Sequence, residues 1–415
     1  MTLDEHNREM EVFRASAGRR LTVAIALAAT LGLSASGCIA AAPAPTPTPD
    51  VASRLGAYLQ KTVDAGAVGL LVRIDTGDTV IELVRQIGWA EDDRPLDIDD
   101  AFRVASNTKT VVATIVLQLV DEGLVELDAP IESYLPGAVP GGQSITVRML
   151  LNHTSGLDDV IVTDTGTALL SGSATQMPTP HDLLALATAE KPLAAPGQTF
   201  NYSNANYLAL GLMLEKVTGS PVSMLIDERI TDPLGMRSTY LASDAADVND
   251  DLAHGYEPDA EALAPLLPPE LPPGFGFVGP EVHDHVNTVA IDPGWAWAAG
   301  GLVSTAQDWS RFALALQSGE LVPSDLLDEM RTTVDYDRYG LGLEKRGTSC
   351  GVVWGHSGIL PGYASKTYTD DTGTRTLAIF TTTTFGLDPP EAAVAYDDLI
   401  HAAVCAMFEE PLPGD

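Results

Sequence analysis

The run Ser-Asn-Thr-Lys at 106–109 sets a hydroxyl three residues ahead of an amine. At the start of a helix, that spacing puts Ser106 and Lys109 on one face of the first turn, a nucleophile beside a base. Among the six lysines, Lys109 alone has a serine three positions before it. The N–H groups of a first helical turn also point toward negative charge developing on an attacked carbonyl. In a second cluster, Tyr202-Ser203-Asn204, Tyr202 is the one of eleven tyrosines followed two residues later by Asn. A phenol near a lysine can carry a proton to a leaving group, and Asn204 can hold a substrate amide or the lysine itself. The third cluster is His356-Ser357-Gly358. Of eight histidines, His356 alone has glycine at +2, and it follows the apolar run Gly-Val-Val-Trp. Glycine there lets a substrate backbone approach a strand closely.

These clusters need a scaffold. An amphipathic helix is expected over 52–66, then strands at 68–75 and 79–90 joined through Thr76, Gly77 and Asp78 as a hairpin. Val111, Val112, Ile115, Val116, Leu119 and Val120 mark one face of a helix that starts at Ser106 and stops at Gly123. The middle of the chain, with VRMLLNHTSGL at 147–157 and NYLALGLMLEKVTG at 206–219, reads as an inserted helical lobe. Residues 241–290 are proline-rich and acidic and are expected as a long surface loop. The last third returns to a helix at 305–319, strands within 339–346, 350–356, 364–370 and 374–384, and a final helix at 391–408. A hairpin at the start and antiparallel strands at the end can share one sheet.

The order Ser-x-x-Lys, Tyr-x-Asn, His-x-Gly resembles the penicillin-recognising serine hydrolases, whose three motifs line one cleft. Within them it is similar to the class C β-lactamase and D-alanyl-D-alanine carboxypeptidase branch. Residues 150–157, 298–312, 339–351 and Cys405 look like stretches of the Streptomyces-type exported carboxypeptidases, and the likeness covers most of 51–408. The resemblance implies an α+β fold, an antiparallel sheet flanked by helices with an inserted all-α lobe. Its α/β part would take about 51–115 and 290–415, and its insert about 116–289.

By the same resemblance Ser106 is acylated, and Lys109 and Tyr202 share proton transfer on and off its oxygen. Asn204 and His356 orient substrate on a wall shared with Ser357 and Gly358. The oxyanion hole is the N–H of Ser106 with that of Ile359, each donor worth roughly 3–4 kcal/mol. The implied substrate is a peptide or β-lactam-like small molecule, peptidoglycan stem peptides among them, with no cofactor. Rival readings are a β-lactamase or esterase on the same scaffold, or a lipoprotein that binds penicillin or cell wall without turnover. One departure matters. Where the carboxypeptidases carry a basic residue for the substrate's terminal carboxylate, this chain aligns Glu344, and of the neighbouring cations only Arg346 shares its strand face.

Composition narrows the partners. Lys and Arg number 23 against 57 Asp and Glu, a net charge of −34, which repels phosphate backbones and anionic lipid and leaves neutral or cationic partners. No glycine-rich phosphate loop occurs, and His283-Asp284-His285 lacks a third metal ligand at fitting spacing, so no metal is expected. Arg14, Arg19 and Arg20 precede the apolar run 21–33, too short to span a bilayer, so residues 1–37 read as an export signal. Ala-Ser-Gly-Cys at 35–38 resembles a lipobox that would lipidate Cys38 and tether the protein to the outer face of a membrane in the cell envelope. A Pro/Thr-rich spacer follows within 38–50, and 51–415 form the body. Cys350 and Cys405 remain, and in an oxidising compartment they most simply form one disulfide.

Overall fold

The computed structural model describes residues 50–413, apart from 190, 243–250, 268–270 and 273. The chain divides into Met1–Asp50 and Val51–Asp415, and the elements below belong to the second unit. The export signal, the spacer up to 49 and Cys38 lie outside the described residues.

Strand β1 (Gly69–Asp75) pairs on one side with β2 (Val80–Gln86), closing the expected hairpin. The run 79–90 does not continue as strand, because Gly88–Asp93 turns into a short helix. On its other side β1 pairs with β6 (Thr376–Thr381), from Leu70 opposite Thr381 to Asp75 opposite Thr376. With β3 (Glu344–Gly347), β4 (Val352–Leu360) and β5 (Tyr363–Thr369), the order across the six-stranded sheet is β2-β1-β6-β5-β4-β3, every pair antiparallel. The ends of the chain therefore meet in one sheet.

Alternation sorts β1 between two faces. Leu70, Val72 and Ile74 join Leu55, Leu59 and Val63 of α1 (Val51–Asp64) and Leu399, Ile400 and Ala403 of α5 (Pro390–Met407) in one buried cluster. Each such Leu or Val contributes roughly 1.5–3 kcal/mol by leaving water. The disulfide forms as expected, Cys350 to Cys405 at a Cα–Cα distance of 5.1 Å, and ties α5 to the start of β4.

The opposite face carries α4 (Ala306–Gln317), packed across β5 and β6, and the Ala105–Asn107 turn that leads into the first of two central helices. Helix α2 (Thr108–Asp121) is buried at every position from Thr108 to Leu117, so it is a central helix rather than one with a single apolar face. Gly123 takes φ 71° just beyond its end, a left-handed conformation that stops a helix without steric cost. Helix α3 (Asn204–Thr218), capped by the Ser203 hydroxyl on the N–H of Ala205, is buried from Ala205 to Leu214 and packs against α2.

The 241–290 stretch departs from the expected surface loop. Tyr256–Pro258, Glu281–Val282 and His285–Asn287 form a three-stranded sheet, and Tyr256, Glu257, Phe275 and Phe277 are buried. The Glu257 carboxylate accepts the N–H groups of Gly362, Thr384 and Phe385, which fastens the segment to the β4–β5 turn and to the chain after β6. Pro-rich text concealed this because the anchoring residues are single and far apart in sequence.

Candidate active site

Ser106 lies in a 3-10 turn, Ala105–Asn107, that leads directly into α2. Ala105 is held at φ 51°, a conformation that costs a non-glycine residue about 1–3 kcal/mol and is kept only by its surroundings. Those surroundings are specific. Asn107, fully buried, donates to Val104 O at 3.0 Å and to Ser365 Oγ at 2.7 Å, and accepts from Thr367 Oγ1, which rivets the turn to β5. From the next strand Gly358 closes over the same turn, and a Cβ at 358 would lie 2.2 Å from Val104 O. Only glycine permits that approach of β4 to the turn that carries the serine.

The i, i+3 spacing does what it implies. Lys109 Nζ donates to Ser106 Oγ at 2.9 Å, to Asn204 Oδ1 at 2.8 Å and to the Ala299 carbonyl at 2.6 Å. Burial outweighs the attraction of the Asp159 and Glu344 carboxylates and brings this amine down to about 7. Tyr202 hydrogen-bonds Ser106, while burial pushes its phenol well above the ordinary value and the Glu344 charge adds to the rise. Two proton-carrying groups beside one hydroxyl are thus driven apart, the amine toward its neutral form and the phenol toward its protonated form. Once Lys109 is neutral, Asn204 Oδ1 and Ala299 O take its two N–H groups and its lone pair faces the Ser106 hydroxyl.

His153, at φ 58° in the turn after the short helix Val147–Leu151, supports Tyr202 from behind. Its ring stacks on Tyr202 with centroids 4.2 Å apart, and its Nδ1 accepts from Ser203 N at 3.2 Å and Asn206 Nδ2 at 2.9 Å. It organises the loop. Within the protein the Asn204 amide is held at both ends, its Oδ1 on Lys109 and its Nδ2 on Asp159 Oδ2 at 3.0 Å.

His356 requires a correction. Its side chain is only 1% exposed, Nε2 is 2.8 Å from the Tyr339 hydroxyl, and Nδ1 is 2.5 Å from Ser357 O and 3.5 Å from Glu344 Oε1, so both ring nitrogens are engaged by the protein beside the cleft. The alternation of β4 turns 356 inward and leaves Ser357 partly exposed on the other face. Ser357 Oγ donates to Glu344 Oε1 at 2.7 Å, so the side chains on this wall are a hydroxyl and a carboxylate. The neighbouring cations face elsewhere, Lys345 on Asp337 and Arg346 on Asp397. Asp159 and Tyr339 escaped sequence reasoning. Each stands beside a recognised motif, Asp159 two residues after His-Thr-Ser-Gly-Leu, but nothing local marks them as part of a site.

The remaining candidate cluster is spent on packing. His283 and His285 lie 5.3 and 4.8 Å from the Trp89 ring, and His285 pairs with Asp284. Among the described residues, the group of His, Cys and carboxylate atoms close enough to share a cation is Cys350, His401 and Cys405, and its two sulfurs form the disulfide.

A beta-lactamase family profile matches residues 51–402. The chain belongs to the beta-lactamase family. Its relatives in that family include Esterase EstB of Burkholderia gladioli, 30% identical over 320 residues, covering 72% of this chain and 78% of the esterase. The D-stereospecific amidohydrolase of a Streptomyces species superposes with a TM-score of 0.71 at 32% identity, covering 84% of this chain and 98% of that one. The D-amino acid amidase of Ochrobactrum anthropi SV3 gives 0.70 at 25% identity, covering 85% and 98%. Fold and family agree with the sequence motifs, and the protein is a beta-lactamase-family serine hydrolase.

Proposed function

We propose that this beta-lactamase-family protein cleaves an amide through an acyl-Ser106 intermediate and that its substrate is a D-amino acid amide or D-peptide whose leaving group carries no carboxylate. One observation carries the reading of the chemistry, the buried Lys109 amine whose other two acceptors aim its lone pair at Ser106 Oγ. In the forward step the Ser106 proton passes to Lys109 as Oγ bonds the substrate carbonyl carbon. The N–H groups of Ser106 and Ile359 hold the resulting oxyanion. The C–N bond then breaks, and the departing amine takes a proton through Tyr202, whose phenol is replenished from Lys109. Water attacks the acyl ester by the same route in reverse and restores Ser106.

The leaving group departs beside Tyr202, and the strand wall there presents Ser357 and Glu344. A carboxylate on that wall repels the free terminal carboxylate that a D-alanyl-D-alanine carboxypeptidase must accept. A neutral amide suffers no such penalty, and two family relatives are named for D-amino acid or D-stereospecific amide hydrolysis. Export through residues 1–37 and lipidation of Cys38 belong to the same proposal, supported by the Arg-flanked apolar run and the Ala-Ser-Gly-Cys sequence.

Intact-mass spectrometry and turnover assays test the proposal with D-phenylalanine amide, its L-enantiomer, a D-alanyl-D-alanine peptide, the same peptide capped as its C-terminal amide, and a penicillin. The expected result is hydrolysis of the D-amide and of the capped peptide ahead of the free acid, with any acyl adduct absent from Ser106→Ala. Faster cleavage of the free acid would return the assignment to carboxypeptidase, and rapid turnover of the penicillin would make the protein a β-lactamase.

A further inference from the structure

Behind the Lys109–Asn204 contact lies a buried carboxylate that the acyl-transfer chemistry does not use. Asp159 caps the short turn Val160–Val162, and its carboxylate oxygens accept from N–H donors. Its Oδ1 accepts from Ile161 N at 3.2 Å and Asn204 Nδ2 at 3.3 Å, and its Oδ2 from Asn204 N at 3.2 Å and Asn204 Nδ2 at 3.0 Å. Burial raises this carboxyl above its ordinary value, and the N–H donors of Ile161 and Asn204 oppose that rise; because a carboxyl proton on either oxygen would face a donor, the geometry suits the ionised form.

An ionised carboxylate only accepts, and that decides which end of the Asn204 amide faces it. Nδ2 must point to Asp159 and Oδ1 to Lys109. The reversed amide would set an N–H donor against the lysine, and the neutral amine would then turn its lone pair to Asn204 instead of Ser106.

We propose that Asp159 is a positioning residue that locks the Asn204 amide so that the Lys109 lone pair faces Ser106, and that its charge, transmitted through this contact, acts on Lys109. The proposal rests on the acyl-Ser106 reading. Burial lowers the Lys109 value, and Asp159 is the larger of the two carboxylate influences that raise it again, Glu344 on the strand wall being the other. Among the described residues, Tyr202 and Tyr207 also face the amine, their ring centroids 4.9 and 5.6 Å from Nζ.

The test is the pH dependence of Ser106 labelling by a fluorophosphonate probe on the full chain. The wild type should show an acid limb near 7, where Lys109 loses its proton. Asp159→Asn removes the charge that favours the ammonium, so its limb should move to lower pH by about one unit while the plateau rate falls. Asp159→Glu retains the charge and should keep the wild-type limb whatever its plateau. Asn204→Ala leaves Asp159 and its Ile161 contact intact, removes a carbonyl acceptor from the ammonium, and should also shift the limb downward. It serves as the readout if Asp159→Asn does not fold. A limb unmoved in Asp159→Asn or Asn204→Ala, or moved equally in Asp159→Glu, would overturn the proposal and assign Asp159 to loop structure alone. A wild-type serine silent to the probe would sink the acyl-Ser106 reading itself.

Discussion

The two walls that meet at Ser106 are built on opposite plans. The helical wall, from α2, the start of α3 and the turn at His153, gathers buried polar groups, and one line of hydrogen bonds runs from Asp159 through Asn204 and Lys109 to the serine. The strand wall of β4 and β3 buries its histidine against Tyr339 and Glu344 and offers the cleft backbone, one hydroxyl and one carboxylate. Helix geometry explains the difference. Side chains at i and i+3 converge on one point, whereas a strand sends alternate side chains to opposite faces and keeps its backbone between them. Chemistry therefore concentrates on the helical side, and selection among substrates falls to the strand.

That division predicts graded losses. Lys109→Ala removes the base from the helical wall and should lower kcat by about 10³ or more while the protein stays folded, as checked by turnover and circular dichroism. An active Lys109→Ala enzyme would move the base elsewhere. Gly358→Ala acts on the strand backbone. Its Cβ would lie 2.2 Å from Val104 O and 2.7 Å from Ser365 Oγ, so β4 must shift away from the nucleophile turn. Activity should fall about 100-fold, since displacement by about 1 Å costs that much. A thermal melt should also show roughly 1–3 kcal/mol of lost stability.

Glu344→Gln tests the strand wall's role in selection with a smaller effect. Peptides ending in a free carboxylate should gain about tenfold in kcat/KM relative to their amides, the worth of one screened charge contact. An unchanged ratio would remove Glu344 from specificity. The mildest test is the pH profile. Because the Lys109 amine is lowered to about 7 and acts only when neutral, kcat/KM should rise with pH through that value and then level off. A rate that falls as pH rises through 7 would contradict the base assignment.

Much of this was legible in the chain. Ser106 and Lys109 are one helical turn apart, and a turn is local geometry that a sequence states outright. The hairpin, the final helix and the disulfide partners followed from alternation, periodicity and cysteine count. The inward turn of His356 was not legible, because a strand's alternation shows which residues share a face but not which face meets the core. The burial of 241–290 was hidden by its proline-rich text, since one carboxylate at Glu257 and a few aromatic residues do the anchoring.

The sequence by itself determined the three motifs, their order and the helix and strand patterns that carry them, because each depends on neighbours within a few residues. Tertiary structure alone decided that Asp159 stands behind Asn204, that Tyr339 reaches His356 and that Glu344 meets Ser357. These pairs are separated by 45, 17 and 13 positions. No local rule specifies such pairings, and they exist because packing the helices and the sheet around one core leaves buried polar groups that must find partners there.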